Sequence, residues 1–148
     1  MESMSKIEAV LFDLDGTLLD SFPDFLASLE NININSSSKK IDESIVRANV
    51  SDGSSKLLKL VFNIDADDEG FDEHKRNFLN EYEKNILMYG NLFHGVSDLL
   101  NFLLDKKIPY GIVTNKPRKY TEIILKKSSL LRPVSYTHLT LPTKPSGL

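Results

Sequence analysis

The stretch that decides the fold is Val10-Leu11-Phe12-Asp13-Leu14-Asp15-Gly16-Thr17-Leu18-Leu19-Asp20-Ser21. Residues 7–14 are nearly all apolar, which is typical of a strand buried on both faces of a parallel sheet. The strand is expected to end at the aspartates. Asp13 and Asp15 are two positions apart, so in an extended segment their side chains project to the same side. Both carboxylates are therefore predicted at the carboxyl end of a strand, where α/β folds bind ligands.

The chemistry of this pair favours phosphate transfer. Two carboxylates this close repel one another, and a divalent cation such as Mg²⁺ neutralises them together with a phosphate dianion. One carboxylate can attack phosphorus to form an aspartyl-phosphate, while a second acid protonates the departing alkoxide and later activates water. The pair Asp13 and Asp15 is thus compatible with metal-assisted phosphate chemistry.

The middle of the chain changes to helical periodicity. Phe22, Phe25, Leu26 and Leu29 follow the spacing of one helical face. A loop is predicted over residues 31–40, followed by helices over residues 41–50, 54–62 and 71–89. Residues 22–92 are therefore predicted to form an all-helical insert between two parts of an α/β domain.

The α/β pattern returns at Gly95. A helix stripe is predicted from four residues, then a strand over 110–113 and a helix from near Pro117. The stripe residues are Val96, Leu99, Leu100 and Leu103. At the end of this second strand, the hydroxyl of Thr114 and the amide of Asn115 face a helix N-terminus, where both can donate to an anion.

Composition narrows the possible functions. The 148 residues are 41% hydrophobic and 26% charged, as in ordinary globular proteins, and include no cysteine. Disulfides, zinc-thiolate sites and thiol nucleophiles are thereby excluded. No run is long enough to span a membrane and the net charge of −3 names no partner, so neither membrane nor nucleic-acid binding is expected. The predicted location is cytoplasmic, and the sequence does not indicate an oligomeric state.

The opening stretch resembles the first motif of the haloacid dehalogenase superfamily throughout, and residues 112–117 resemble the second motif in the form seen in phosphoglycolate phosphatases. The resemblance implies a Rossmann-like α/β core from residues 1–21 and 93–133, with residues 22–92 as an inserted helical cap. It further implies Mg²⁺ as cofactor, Asp13 as nucleophile and metal ligand, and Asp15 as acid/base and as a main-chain carbonyl ligand. Thr114 and Asn115 would bind the phosphoryl group.

Residues 50–53 before a Leu-rich helix resemble the cap loop that faces the active site in phosphoglycolate-phosphatase-like members. Asp52, Gly53 and Ser54 are therefore candidates for substrate contact, with a plain turn as the alternative.

The end of the chain does not fit this family. Residues 134–143 are the translation expected of a transposase sequencing adapter, so residues 134–148 are predicted to be a non-native tail, with a natural Thr/Pro-rich tail as the alternative. Two family elements are also absent, the later lysine that stabilises phosphoryl charge and the acidic motif that completes the metal site. Lys126 and Lys127 follow Thr114 too soon and are predicted on a helix, and Lys144 lies in the tail. We therefore expect this chain to be truncated after its second or third core strand and to be inactive on its own.

The function implied is that of a Mg²⁺-dependent phosphomonoesterase for a small phosphorylated metabolite, with 2-phosphoglycolate as the leading substrate. The alternatives are a phosphosugar phosphatase, including one for N-acetylmuramic acid 6-phosphate, and a β-phosphoglucomutase-like phosphotransferase. Dehalogenases lack the second aspartate of the first motif, so Asp15 argues against them. A hypothesis of another class is an inactive fragment or phosphate-binding remnant.

Overall fold

The computed structural model describes residues 7–33 and 40–128. In chain order its elements are β1 (Val10–Phe12), β2 (Leu19–Asp20), α1 (Phe22–Asn33), α2 (Glu43–Asn49), a 3-10 turn (Val50–Asp52), α3 (Ser54–Phe62), α4 (Phe71–Asn85), β3 (Asn91–Leu92), α5 (Val96–Asp105), β4 (Tyr110–Ile112) and α6 (Arg118–Lys127). They divide into two compact units. The first takes its described residues from Met1–Leu19 and Leu92–Leu148, and the second takes them from Asp20–Asn91. The sequence predicts the insert over residues 22–92, close to this contiguous second unit.

The first unit contains a pair of parallel strands. β1 pairs with β4 so that Val10 lies opposite Tyr110 and Phe12 opposite Ile112. The backbone N–H of Val113 donates to the carbonyl of Phe12 at 2.8 Å and continues the pairing past the end of β4. Parallel strands require a crossover connection, which here carries the whole second unit.

The prediction that the first strand is buried on both faces is wrong for its middle residue. Leu11 is 70% exposed, while its neighbours Val10 and Phe12 are half-buried. Successive strand side chains point to opposite faces, so Leu11 lies on the face opposite Val10 and Phe12. Among the described residues β1 pairs only with β4, and no element covers the Leu11 face.

Helices α5 and α6 bury one stripe each. Three of the four predicted residues of α5 are buried, but Leu99 is 42% exposed, so the buried stripe is narrower than predicted. The three are Val96, Leu100 and Leu103. The helix predicted near Pro117 begins at Arg118 and buries Tyr120, Thr121 and Ile124.

The second unit is a group of four helices around an aromatic cluster. Phe25 of α1 stacks on Tyr82 of α4 with ring centroids 4.3 Å apart, and Phe78 lies 5.9 Å from Phe25. Phe78 is fully buried and Tyr82 is 2% exposed. The predicted helical character of this region is therefore confirmed.

Helix limits in the second unit follow from local hydrogen bonds. α3 has the predicted limits, whereas α2 begins at Glu43 because the Asp42 side chain caps it, accepting the N–H of Ser44 at 2.9 Å. α4 ends at Asn85, earlier than predicted: the N–H of Ile86 still donates to the carbonyl of Tyr82, but the N–H of Leu87 donates to Oδ2 of Asp24. α1 runs to Asn33, three residues into the predicted loop, and residues 34–39 of that loop lie outside the described residues.

Two short strands were not predicted. β2 and β3 pair with each other where the chain leaves the first unit and where it returns. Each has two residues, too few to show an alternating pattern.

No helix in the described ranges has the length and apolar character needed to cross a membrane. The predicted non-native tail, residues 134–148, lies outside the described residues.

Candidate active site

The ends of two neighbouring strands define the site in the first unit. Asp13 directly follows β1, and Thr114 follows β4 by two residues. Because β1 and β4 are parallel neighbours in register, both residues lie at the same edge of the sheet. This is the edge at which open α/β sheets bind ligands.

A tight turn after β1 holds the second aspartate. The Gly16 N–H donates to the carbonyl of Leu19 at 2.9 Å, and the N–H groups of Leu18 and Leu19 donate to the carbonyl of Leu14. Gly16 has φ of +83°, a conformation that strains residues with a Cβ. All three leucines are at most 1% exposed, so apolar packing anchors the turn that carries Asp15.

Asp13 is the accessible carboxylate of the pair. Its side chain is exposed, and the Thr17 hydroxyl donates to its Oδ2 at a long 3.4 Å. A carboxylate with one weak contact can approach an electrophile or a cation without first losing a strong partner.

The carboxylate of Asp15 is paired with the ammonium of a lysine that follows β4. The Nζ of Lys116 lies 2.9 Å from both carboxylate oxygens of Asp15. The two side chains are only 5% and 12% exposed, respectively. Removing one partner from such a pair would leave an uncompensated charge and cost about 3–5 kcal/mol. The two predicted catalytic carboxylates are therefore in different environments, one accessible and one paired.

The residues after β4 form a second fixed segment. Thr114 is 2% exposed, and its Oγ1 accepts the backbone N–H of Lys116 at 3.1 Å. Thr121 of α6 donates from its hydroxyl to the carbonyl oxygens of Lys116 and Pro117, at 3.4 and 3.3 Å. Asn115 is exposed between these anchored neighbours. The structure thus brings Asp13, Asp15 and residues 114–116 to one end of the paired strands.

The three candidate cap residues lie in the second unit. Asp52 ends the 3-10 turn and accepts a 2.6 Å hydrogen bond from the ammonium of Lys56. Gly53 has φ of +92°, and Ser54 is the first residue of α3. Asp52 and Gly53 are exposed and Ser54 is half-buried, which leaves this loop accessible within its own unit.

The acidic residues at the strand end offer oxygen ligands, and carboxylate and carbonyl oxygens are the ligands that Mg²⁺ prefers. Within residues 7–33 and 40–128, no three His, Cys, Asp or Glu side chains converge as a metal site would require. Asp13 has an accessible carboxylate, whereas both oxygens of Asp15 contact Lys116. The described residues therefore offer part of a metal site.

Lys116 is the site residue that the sequence prediction missed. It lies inside the stretch that suggested Thr114 and Asn115, but the predicted charge-stabilising lysine was sought later in the chain. The spacing of Lys116 could have indicated a site residue. It follows Thr114 by two residues at a strand end, and the same interval separates Asp13 from Asp15. Lys126 and Lys127, which were not assigned a role, are exposed residues of α6, as expected.

Comparison with known proteins identifies the family. The sequence profile of the haloacid dehalogenase-like hydrolases matches residues 10–143. The matched range overlaps residues 134–143, whose non-native origin stays a prediction.

Two similar proteins carry the names of phosphatases. The N-acetylmuramic acid 6-phosphate phosphatase of Pseudomonas putida is 32% identical over 84% of this chain and 56% of the relative. The phosphoglycolate phosphatase of Xanthomonas campestris pv. campestris is 39% identical over 79% of this chain and 52% of the relative. The chain thus spans about half the length of these relatives.

A solved structure shares the fold. The crystal structure of a predicted phosphoglycolate phosphatase from Haemophilus somnus 129pt superposes with a TM-score of 0.77 at 24% identity, over 95% of this chain and 67% of that one. Together with the profile match, this likeness confirms the predicted fold, a Rossmann-like α/β core with a helical cap. The chain belongs to the haloacid dehalogenase-like hydrolase family.

Proposed function

We propose that the chain is the nucleophile-bearing part of a Mg²⁺-dependent phosphomonoesterase that acts on a small phosphorylated metabolite, with 2-phosphoglycolate as the leading substrate. The observation that carries the proposal is the unequal pair of carboxylates, Asp13 exposed and Asp15 held by Lys116, at the end of a parallel strand. Both relatives described above are named as phosphatases of small phosphate esters, which supports the same class of substrate.

In the proposed reaction Asp13 is the nucleophile. One Oδ of Asp13 bonds to phosphorus as the bond from phosphorus to the ester oxygen breaks, and Asp15 gives a proton to the departing alkoxide. Water then attacks the aspartyl-phosphate, and Asp15 takes its proton as the Asp13 carboxylate and inorganic phosphate are released. Each step balances, with one P–O bond formed for each one broken.

The surrounding residues have binding roles in this proposal. Thr114 and Asn115 follow the neighbouring strand and donate hydrogen bonds to phosphoryl oxygens. The Asp13 carboxylate and the Asp15 main-chain carbonyl would hold Mg²⁺, which neutralises the phosphate dianion when bound. Asp52, Gly53 and Ser54 of the second unit are the proposed substrate-selecting residues.

A second candidate substrate is N-acetylmuramic acid 6-phosphate. It is favoured by the Pseudomonas putida relative, which aligns with a larger share of this chain than the Xanthomonas campestris relative does. The two candidate substrates differ in size. Measuring the turnover of each under the same conditions, with a β-hexose 1-phosphate as a third substrate, separates them.

The central test is Asp13→Asn in the protein extended by whatever follows codon 133 in its gene. The unmodified protein should release inorganic phosphate from p-nitrophenyl phosphate when Mg²⁺ is present. Asp13→Asn should reduce turnover by about 10³-fold or more, since the amide is a poor nucleophile. Asp98→Asn, at an exposed first-turn aspartate of α5, is the matched control and should retain turnover. Undiminished turnover by Asp13→Asn would exclude Asp13 as the nucleophile.

The gene sequence beyond codon 133 tests the remnant hypothesis. An in-frame lysine element followed by a Gly-Asp-x-x-x-Asp element would supply the residues that the family adds to Asp13 and Asp15. A natural stop codon after the present last residue would instead support a phosphate-binding remnant.

A further inference from the structure

The charged group that the proposed reaction does not use is the ammonium of Lys116. Its residue is 6% exposed, and burying an ammonium costs several kcal/mol unless it is paired. It is paired evenly, with 2.9 Å to each oxygen of Asp15. A contact to both oxygens restricts rotation of the carboxylate, as a contact to one oxygen would not.

The backbone on either side of this lysine is also fixed. The N–H of Lys116 is bound by the Thr114 hydroxyl, and its carbonyl accepts from Thr121 of α6. The following residue, Pro117, has a restricted φ that limits the freedom of the segment. The ammonium is therefore positioned by a rigid segment, unlike that of exposed Lys126 on α6.

The pairing has a consequence for any divalent cation at Asp13. Both oxygens of Asp15 already contact a positive charge, so a divalent cation at that carboxylate would meet repulsion from the Lys116 ammonium and find fewer lone pairs to bind. Within the part of the chain that the structure describes, the Asp13 carboxylate accepts one long hydrogen bond, from Thr17, and is not paired with an ammonium.

We propose that Lys116 is a positioning residue for Asp15: its ammonium holds the carboxylate in one orientation and keeps it from coordinating a divalent cation bound at Asp13. The first half rests on the proposed function, because orientation matters for proton transfer. The second half concerns cation binding alone and can be tested without turnover.

The test of the second half is the binding of Mn²⁺ alone, followed by electron paramagnetic resonance of free Mn²⁺. Lys116→Met removes the charge with a side chain of similar length and should bind Mn²⁺ about tenfold or more tightly than the unmodified chain, since Asp15 becomes an available ligand. Lys126→Met is the matched control and should bind as the unmodified chain does. Lys116→Gln serves as the neutral variant if circular dichroism shows that Lys116→Met is unfolded.

A double-mutant cycle shows whether Asp15 is the group responsible. In an Asp15→Asn background, Lys116→Met should change Mn²⁺ affinity by less than about threefold, because the carboxylate that it releases is gone. A gain of equal size in both backgrounds would overturn the proposal, since it would show only a general charge effect. Equal or weaker binding by the neutral variants, or no binding by any chain, would overturn it as well.

Turnover tests the first half. In the extended protein, Lys116→Met should lower kcat by about tenfold or more and change KM by less than about threefold, and Lys116→Arg should recover part of kcat. A change confined to KM, or no change, would overturn the positioning role. If the unmodified extended protein has no turnover, the proposed function fails and this half fails with it, whereas the Mn²⁺ result still decides the second half.

Discussion

The backbone N–H of Gly90 donates to Oδ1 of Asp24 at 2.8 Å, inside the second unit. Asp24 is 1% exposed and accepts two further backbone bonds, from Leu87 to Oδ2 at 2.8 Å and from Tyr89 to Oδ1 at 2.9 Å. One carboxylate in the first turn of α1 thereby organises the segment that follows α4. This explains why α4 ends at Asn85, although the sequence pattern continues to residue 89.

We predict that Asp24→Asn lowers the free energy of unfolding by about 3 kcal/mol. The asparagine amide has one acceptor oxygen. Its NH₂ group would face a backbone N–H that now donates to the carboxylate, so that hydrogen bond would be lost. Urea denaturation followed by circular dichroism measures the change. Asp98→Asn, which alters an exposed first-turn aspartate of α5, should stay within about 0.5 kcal/mol of the unmodified protein. Equal effects of the two variants would contradict the role given to Asp24.

Gly90→Ala should be more damaging than an ordinary glycine replacement. A Cβ at Gly90 would lie 2.6 Å from Oδ2 of Asp24 and 2.8 Å from the carbonyl oxygen of Asp20, so buried groups would have to move. The expected loss exceeds about 3 kcal/mol. At Gly70, with φ of +86°, the nearest atom to an added Cβ is 3.9 Å away, and backbone strain of about 1–2 kcal/mol is the whole expected cost. Thermal midpoints of the two variants compare them, and a smaller loss for Gly90→Ala would refute the close-contact argument.

Two buried serines near the start of the second unit should respond differently to alanine. The Ser28 hydroxyl donates to the carbonyl of Asp24 at 2.6 Å and accepts from Nδ2 of Asn85 at 3.1 Å. Ser28→Ala deprives buried Asn85 of its acceptor and should cost about 1–3 kcal/mol. The Ser21 hydroxyl has no hydrogen-bond partner among the described residues, so Ser21→Ala should cost less than about 0.5 kcal/mol. Chemical denaturation gives both values, and the prediction fails if Ser21→Ala is the more destabilising.

Alkaline stability should depend on Tyr110 of β4. Tyr110 is 6% exposed as a residue, and burial raises the pKa of its phenol. The folded state therefore favours the neutral form, and the stability this contributes is present below the ordinary pKa of 10.0 and is lost as pH rises through the folded-state pKa. Tyr110→Phe should lose less stability than the unmodified protein between about pH 9 and pH 11.

Urea midpoints at the two pH values measure this difference, with absorption at 295 nm reporting phenolate. Tyr89→Phe, at a tyrosine that is 56% exposed, is the control and should keep the pH dependence of the unmodified protein. Identical pH dependence for Tyr110→Phe and the unmodified protein would contradict the prediction.

The helices of the second unit were predictable because each buries one face. The resulting 3.6-residue period of apolar residues can be recognised within a short stretch of sequence. α3 is predicted to the residue, and Phe25, which belongs to the predicted apolar stripe of α1, is buried against Tyr82 of α4. The two aspartates of the site were predictable for a similar reason, since their two-residue spacing and the strand before them are adjacent in sequence.

Interactions between distant positions were not predictable in this way. Lys116 and Asp15 are 101 positions apart, and nothing in the neighbourhood of either residue shows which charge it meets. Asp24 likewise has the sequence of an ordinary first-turn acid, and only its contacts 63–66 positions away distinguish it. The exposure of Leu11 was not predictable either, because the burial of a strand face depends on other elements that pack against it.

The parallel pairing of Val10 with Tyr110 sets an order of events during synthesis. A chain growing from its N-terminus exposes β1 before β4, its partner strand in the described ranges, whereas Asp20–Asn91 is contiguous and complete before β4 is made. The helical unit is therefore free to fold during translation, while the strand that leads to Asp13 waits for its neighbour. Premature termination before residue 110 would leave β1 without its β4 partner, and an unpaired strand edge of this kind promotes aggregation.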